Sequence, residues 1–131
     1  MVAWGRKQVD VITLFVEDLQ LTKPFYQDVF GLTTVYEDEN SAVFDFGNMC
    51  VNLLKVSEAP GLIGPAAVAG RETGSRFQFT IRVDDVDTVC EELTRRGIPL
   101  LNGPMNRPWG IRTASFTDPA GHIWEIAHDL A

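Results

Sequence analysis

Basic clusters are missing from this chain of 131 residues. Lys and Arg together number 11 against 18 Asp and Glu, giving a formal net charge of −7 and a sequence pI of about 4.7. Without a run of basic side chains the electrostatic footprint of a nucleic-acid surface is absent, so no nucleic-acid partner is expected. Long apolar runs are missing as well. Nothing approaches the roughly 18 residues of a membrane span, so no membrane partner is expected. The opening Met1-Val-Ala-Trp-Gly-Arg-Lys7 lacks the apolar core of a signal peptide, which predicts a cytoplasmic protein. The two cysteines, Cys50 and Cys90, make neither a disulfide framework nor a metal-binding pair spacing. Cys90 lies at helical spacing from Val86 and Leu93, as a small core residue would. What is present is ordinary for a soluble globular protein, with 45% apolar and 22% charged residues. The length suits one folding unit, or two small ones sharing a core.

Taken in order, residues 9–16 are rich in Val, Ile, Thr and Phe and read as a strand. A helix follows from about 21 or 22 to 30, ended by Gly31 where a left-handed residue is wanted. Pro24 fits a helix only in its first turn, which places the start late. Phe25, Val29 and Leu32 form the expected buried stripe. Residues 33–37 read as a strand, and 42–46 and 49–56 as a hairpin across Gly47-Asn48. From 57 to 76 the composition changes to four Gly, two Pro and four Ala with no aromatic residue. A connection of that length is a linker or a lid, and it marks a boundary between two halves. The second half repeats the first: a strand over 77–83, a helix from the acidic Asp84-Asp85-Val86-Asp87 to Gly97, a strand over 98–101, and a loop over 102–110 carrying Trp109.

The chain closes on two short apolar segments, 111–116 and 123–127, joined by Asp118-Pro119-Ala120-Gly121, which has the residues of a type I turn. Glu125 stands between Trp124 and Ile126. A charge inside an apolar strand is costly unless it meets water, a partner or a metal, so one face of this strand turns toward something polar. Alternation puts Ile123, Glu125 and Ala127 on that face and His122, Trp124 and His128 on the other. Both halves thus read β-α-β-β-β: a first module over 9–56 and a second over 77–129. Each covers one sheet face with its helix, which implies a cavity between the uncovered faces.

The chain resembles the vicinal oxygen chelate superfamily, which groups glyoxalases, bleomycin-resistance proteins and extradiol dioxygenases. The resemblance rests on Ile12-Thr-Leu-Phe-Val-Glu-Asp-Leu19 and Phe25-Tyr-Gln-Asp-Val-Phe-Gly-Leu32. In the second half it rests on Val83-Asp-Asp-Val86, Arg95-Arg-Gly-Ile98, Pro108-Trp-Gly110 and Phe116-Thr-Asp-Pro-Ala-Gly-His-Ile-Trp-Glu125. It implies an α+β fold of paired βαβββ modules in one domain over 1–131, curved mixed sheets around a cup, and commonly a homodimer. The family's metal-ligand positions carry over to Val11, Asn52, Gln78 and Glu125. Only Glu125 is a good ligand for Zn, Ni or Fe; Val11 has no donor, and amides are weak ligands. Strand alternation keeps His122 and His128 from joining Glu125. The expectation is therefore no cofactor and no native metal.

By the same carry-over Val11, Thr13 and Phe15, then Cys50, Asn52 and Leu54, then Gln78, Thr80 and Arg82 point into the cup, with Asp45 as a second carboxylate there. Such a mixture of apolar area and a few polar groups suits a small molecule. Several readings stay open. Glu125 either contacts ligand or forms an internal ion pair with Arg82 or Arg112. Trp109 either covers the core edge or is a stacking platform for a planar ligand. Cys50, with nothing beside it in sequence to lower its pKa, is expected to be inert, and Asp84, Asp85 and Asp87 to be helix-opening charge. Two functions follow. One is a bleomycin-resistance-like protein sequestering a hydrophobic, planar or partly cationic molecule such as an antibiotic. The other is an enzyme (a lyase, isomerase or dioxygenase) with a rearranged metal site or with Glu125 as general base.

Overall fold

Asp18 and Asp85 start the two long helices. In the computed structural model, which describes residues 7–131, each has extended backbone and caps the helix that follows. Asp18 accepts from the Leu21 amide at 3.1 Å and Asp85 from the Asp87 amide at 3.0 Å. The reading of the first residues as free of a signal-peptide core rests on 1–6, which lie outside the described residues. No helix among the described residues is long and apolar enough to cross a membrane.

The chain divides into two compact units, Met1–Val68 and Ala69–Ala131, so the division falls within the connection at 57–76. The first unit holds β1 (Val11–Val16), α1 (Leu19–Asp28), β2 (Thr34–Glu37), β3 (Ser41–Asp45) and β4 (Cys50–Lys55). Its four-stranded sheet has the order β1-β4-β3-β2, with β1 parallel to β4 and the other pairs antiparallel. The second unit holds β5 (Phe79–Arg82), α3 (Val86–Arg95), β6 (Asn102–Asn106), β7 (Ile111–Thr117) and β8 (Ile123–Asp129). Its sheet repeats the plan as β5-β8-β7-β6, with β5 parallel to β8. Two mixed four-stranded sheets, each with one long helix, make the α+β βαβββ pair that the sequence leads one to expect. The connection is not bare chain: it carries 3-10 turns at Val56–Glu58 and Arg71–Thr73 and, between them in sequence, the short helix α2 (Ala59–Ile63).

Each unit buries the sheet face that meets its helix. In the first, Leu14, Val16, Leu19, Tyr26, Ala42, Phe44, Val51 and Leu53 are all at most 2% exposed. The Tyr26 ring stacks on Phe44 at 5.6 Å. In the second, Val86, Cys90 and Leu93 from α3 line the core with Ala114, Phe116, Trp124 and Ile126. Cys90 is thus a small core residue, and burial pushes its thiol pKa up.

Two elements differ from the sequence reading. Helix α1 begins at Leu19, earlier than Pro24 suggested, because the Asp18 cap fixes its start; Thr22 adds a hydroxyl bond to the Asp18 carbonyl at 2.8 Å. Pro24 is its sixth residue and donates nothing to the Gln20 carbonyl, but both residues are exposed and water can take that carbonyl. The buried stripe is Leu19, Thr22 and Tyr26, with Phe25, Val29 and Leu32 half-buried. In the second unit, 98–101 is not a strand. The Gly97 amide bonds the Thr94 carbonyl and the Ile98 amide the Leu93 carbonyl, with Gly97 at φ +75°, so Ile98 closes a Schellman motif. Pro99 then has no amide to give, and β6 begins three residues later, at Asn102.

Candidate functional site

The face of each sheet turned away from its helix collects most of the residues singled out from the sequence. In the first unit the register sets three rows across β1, β4 and β3: Val11–Cys50–Asp45, Thr13–Asn52–Val43 and Phe15–Leu54–Ser41. Neighbours in register share a face, and Leu14, Val51, Leu53 and Phe44 occupy the other one. Val11, Thr13, Phe15, Cys50, Asn52 and Leu54 therefore lie together on one surface. The Asn52 side-chain amide donates to the Thr13 hydroxyl at 3.4 Å. Its Oδ1 is buried and has no hydrogen-bond partner among the described residues. Asp45 lies at the end of its row, but its carboxylate accepts from the Gly47 amide at 2.6 Å and so holds the hairpin turn. Cys50 is a half-buried free thiol.

In the second unit the matching face carries Thr80, Ser115 and Glu125 in one row. Thr80 donates to Glu125 Oε1 at 2.9 Å, and Ser115 donates to the Asn102 side-chain carbonyl at 2.9 Å. Arg82 stands on this face opposite Ala127 and pairs with Asp129. The ion pair with Arg82 or Arg112 considered for Glu125 is therefore not the arrangement formed. Its partner is a hydroxyl.

Two placements correct the sequence reading. Arg112 is on the helix side. It pairs in register with His128, whose ring Nδ1 accepts from the Val86 amide at 2.9 Å. There Arg112 makes a bidentate pair with Asp87 of α3, Nε to Oδ2 at 2.8 Å and a terminal nitrogen to Oδ1 at 2.9 Å, and reaches Asn106. Those hydrogen bonds hold the Asp87 carboxyl below its usual range and raise the Arg112 guanidinium. Asp85 and Asp87 thus cap and tie α3, as helix-opening charge. Gln78 precedes β5, which starts at Phe79, and is exposed.

Trp109 does not cover a core edge. It is 67% exposed at the tip of the β6–β7 turn, where the Gly110 amide bonds the Arg107 carbonyl at 3.1 Å and Gly110 takes φ +89°. The Arg107 guanidinium lies 5.9 Å from the Trp109 ring centre, and its Nε donates to the Thr113 hydroxyl at 2.9 Å. Thr113 pairs with Ala127, so Arg107 reaches the same face as Glu125. Sequence reasoning passed over Arg107, Asn102 and Ser115. Arg107 was legible only as the residue before Pro108-Trp109-Gly110.

The donors at the four metal-ligand positions remain poor in chemistry: Val11 none, Asn52 and Gln78 amides, Glu125 a carboxylate already bonded to Thr80. Among the described residues no three His, Cys, Asp or Glu side chains are gathered as a metal site.

Comparison with known proteins adds the relatives. A family model described as Glyoxalase/Bleomycin resistance protein/Dioxygenase superfamily matches residues 8–126. Uncharacterized protein YraH of Bacillus subtilis (strain 168) is 32% identical over 120 residues, covering 88% of this chain and 93% of that protein. Metallothiol transferase FosB of Lysinibacillus sphaericus is 24% identical over 120 residues, covering 92% and 81%. The crystal structure of a glyoxalase/bleomycin resistance protein/dioxygenase from Nocardioides superposes with a TM-score of 0.86 at 25% identity, covering 98% of this chain and 87% of that one.

Proposed function

Because this chain belongs to the glyoxalase/bleomycin resistance protein/dioxygenase superfamily, we propose that it binds a hydrophobic or planar small molecule on the helix-averted faces of its sheets, without a metal. The observation that carries this reading is the Asn52 carbonyl oxygen. A buried acceptor without a donor costs about 1–3 kcal/mol, and this one lies on the face that also presents Thr13, Phe15, Cys50 and Leu54. A ligand N–H or O–H placed over Asn52 would satisfy it, while Phe15 and Leu54 supply apolar area. The donor set at Val11, Asn52, Gln78 and Glu125 does not fit Zn, Ni or Fe. On this reading the protein sequesters its ligand, a planar antibiotic being one class, and works in the cytoplasm as a homodimer.

A second reading draws on the likeness to FosB, named a metallothiol transferase, and on Glu125. In it the protein is an enzyme whose Glu125 takes a proton from a substrate placed beside Thr80. Titrating metal-stripped protein with planar antibiotics, with tryptophan fluorescence as readout, separates the two. Saturable quenching without metal supports sequestration. A response only after a divalent metal is added, or one Zn, Ni or Fe per purified chain by elemental analysis, sinks it. Light scattering should give twice the 14.6 kDa chain mass; a species of 14.6 kDa alone refutes the homodimer.

A further inference from the structure

We propose that the Arg107–Trp109 turn is an anion subsite that takes the carboxylate of a flat aromatic ligand. Trp109 lies against the ring, and the terminal guanidinium nitrogens of Arg107 pair with the carboxylate. This deepens the small-molecule reading above and rests on it.

Arg107 is anchored through its inner nitrogen. Its Nε is committed to the Thr113 hydroxyl, a fully buried group on the helix-averted face, and the side chain is half-buried. That bond fixes the plane of the guanidinium and leaves its two terminal nitrogens without a protein partner among the described residues. A planar fork of donors held from behind is the geometry that matches a carboxylate.

Its surroundings are just as informative. Asp and Glu outnumber Lys and Arg in this chain by 18 to 11, yet none of these carboxylates is paired with Arg107. At that end of the sheet the carboxylate is Asp129, opposite Ile111, and Arg82 occupies it. Arg112 is likewise taken up by Asp87, and Arg96 by Glu92. Arg107 instead has an aromatic ring at 5.9 Å, and that ring is two-thirds exposed. An indole presented beside an unneutralised guanidinium offers a flat apolar surface next to a point of positive charge, which an aromatic carboxylate matches on both counts. The net charge of −7 opposes any anion at long range. A preference for the anion would therefore report the local guanidinium and not the field of the whole molecule.

The test uses two probes of nearly equal shape, naphthalene-2-carboxylate and its neutral carboxamide, titrated into the full chain near neutral pH by calorimetry. A charge-assisted pair predicts roughly ten-fold tighter binding of the carboxylate. Arg107→Gln should erase that preference by weakening the carboxylate more than the carboxamide, and Arg107→Lys should keep part of it. Trp109→Leu should weaken both probes together. A preference that survives Arg107→Gln overturns the proposal. So does equal binding of both probes to the unaltered protein, although saturable binding of the two would leave the small-molecule reading standing. If neither probe binds, the subsite is refuted, and the antibiotic titration alone then decides the broader reading. Thermal melts of the variants show whether folding is intact. Should Arg107→Gln fail to fold, Arg107→Lys carries the test, with an undiminished ten-fold preference counting against the fork geometry.

Discussion

Replacing Asp118 by Ala should destabilise the protein by loosening the turn of the closing hairpin. Asp118 is 2% exposed. Its Oδ1 accepts from the amides of Ala120 and His122, each at 2.9 Å, and its Oδ2 lies 2.9 Å from His122 Nδ1. The turn it organises is closed by the Gly121 amide on the Asp118 carbonyl and by the Asp118 amide on the His122 carbonyl, both at 3.0 Å, with Gly121 at φ +96°. This is a type I turn with a G1 bulge. A hydrogen bond to a charged group contributes about 1.5–3 kcal/mol. The three here are not additive, and Ala120 and His122 are half-buried, so water recovers part of the loss. The net cost of Asp118→Ala comes to about 3 kcal/mol. At about 4 °C per kcal/mol for a protein of this size, Tm should fall by roughly 12 °C. Asp118→Asn keeps an oxygen for the two amides and should cost about a third as much. Differential scanning calorimetry at fixed protein concentration measures both. Equal shifts for the two variants, or a fall below about 3 °C for Asp118→Ala, would mean the side chain does not hold the turn.

Other perturbations bear on the remaining contacts. The Asp87 pKa is lowered in the folded state by Arg112, so its stabilisation is present above the unfolded carboxylate pKa of about 3.9 and is lost as pH falls through the folded value. The stability gap between the native chain and Asp87→Asn, followed by urea midpoints, should therefore close on acidification below about pH 4; a gap that widens refutes the pairing. Glu125→Gln should alter ligand affinity while His128→Gln, at the Val86 amide on the other face, should lower Tm and spare affinity. Equal effects on affinity would reverse the assignment of faces. Gly103→Ala places a Cβ 2.5 Å from the Thr113 carbonyl oxygen and 2.8 Å from the Ala114 Cα at φ +83°, so it should cost at least about 1–3 kcal/mol. An unchanged denaturation midpoint would show that β6 can shift there.

The repeat was legible because its punctuation is local. Gly97 closes a helix, Gly31 follows the Val29 cap by two residues at φ +66°, and the Asp118-Pro119-Ala120-Gly121 turn needs no distant contact to be read. Face assignment was legible where strands alternate strictly, as around Glu125, since period two leaves no choice. What failed depended on competition between signals. Pro24 argues for a late helix start, but the Asp18 cap outweighs it. Arg112 was grouped with Glu125 although register with His128 puts it on the helix side. That register is a relation between strands, which spacing within one strand does not contain. Arg107 was missed for a similar reason: the hydroxyl that aims it, Thr113, lies across the turn on β7.

The separation of the two sheet faces has a consequence for how such a chain can change over generations. Leu14, Leu53, Trp124 and Ile126 carry the packing, while Thr13, Asn52 and Glu125 alternate with them along the same strands and point the other way. A substitution in the second set leaves the first set's contacts in place, so its cost falls on local hydrogen bonds such as Thr80 to Glu125 and not on the packing. If the helix-averted set binds the ligand as proposed, specificity and stability are written in interleaved letters of one strand, and selection can rewrite one set while the other continues to specify the fold.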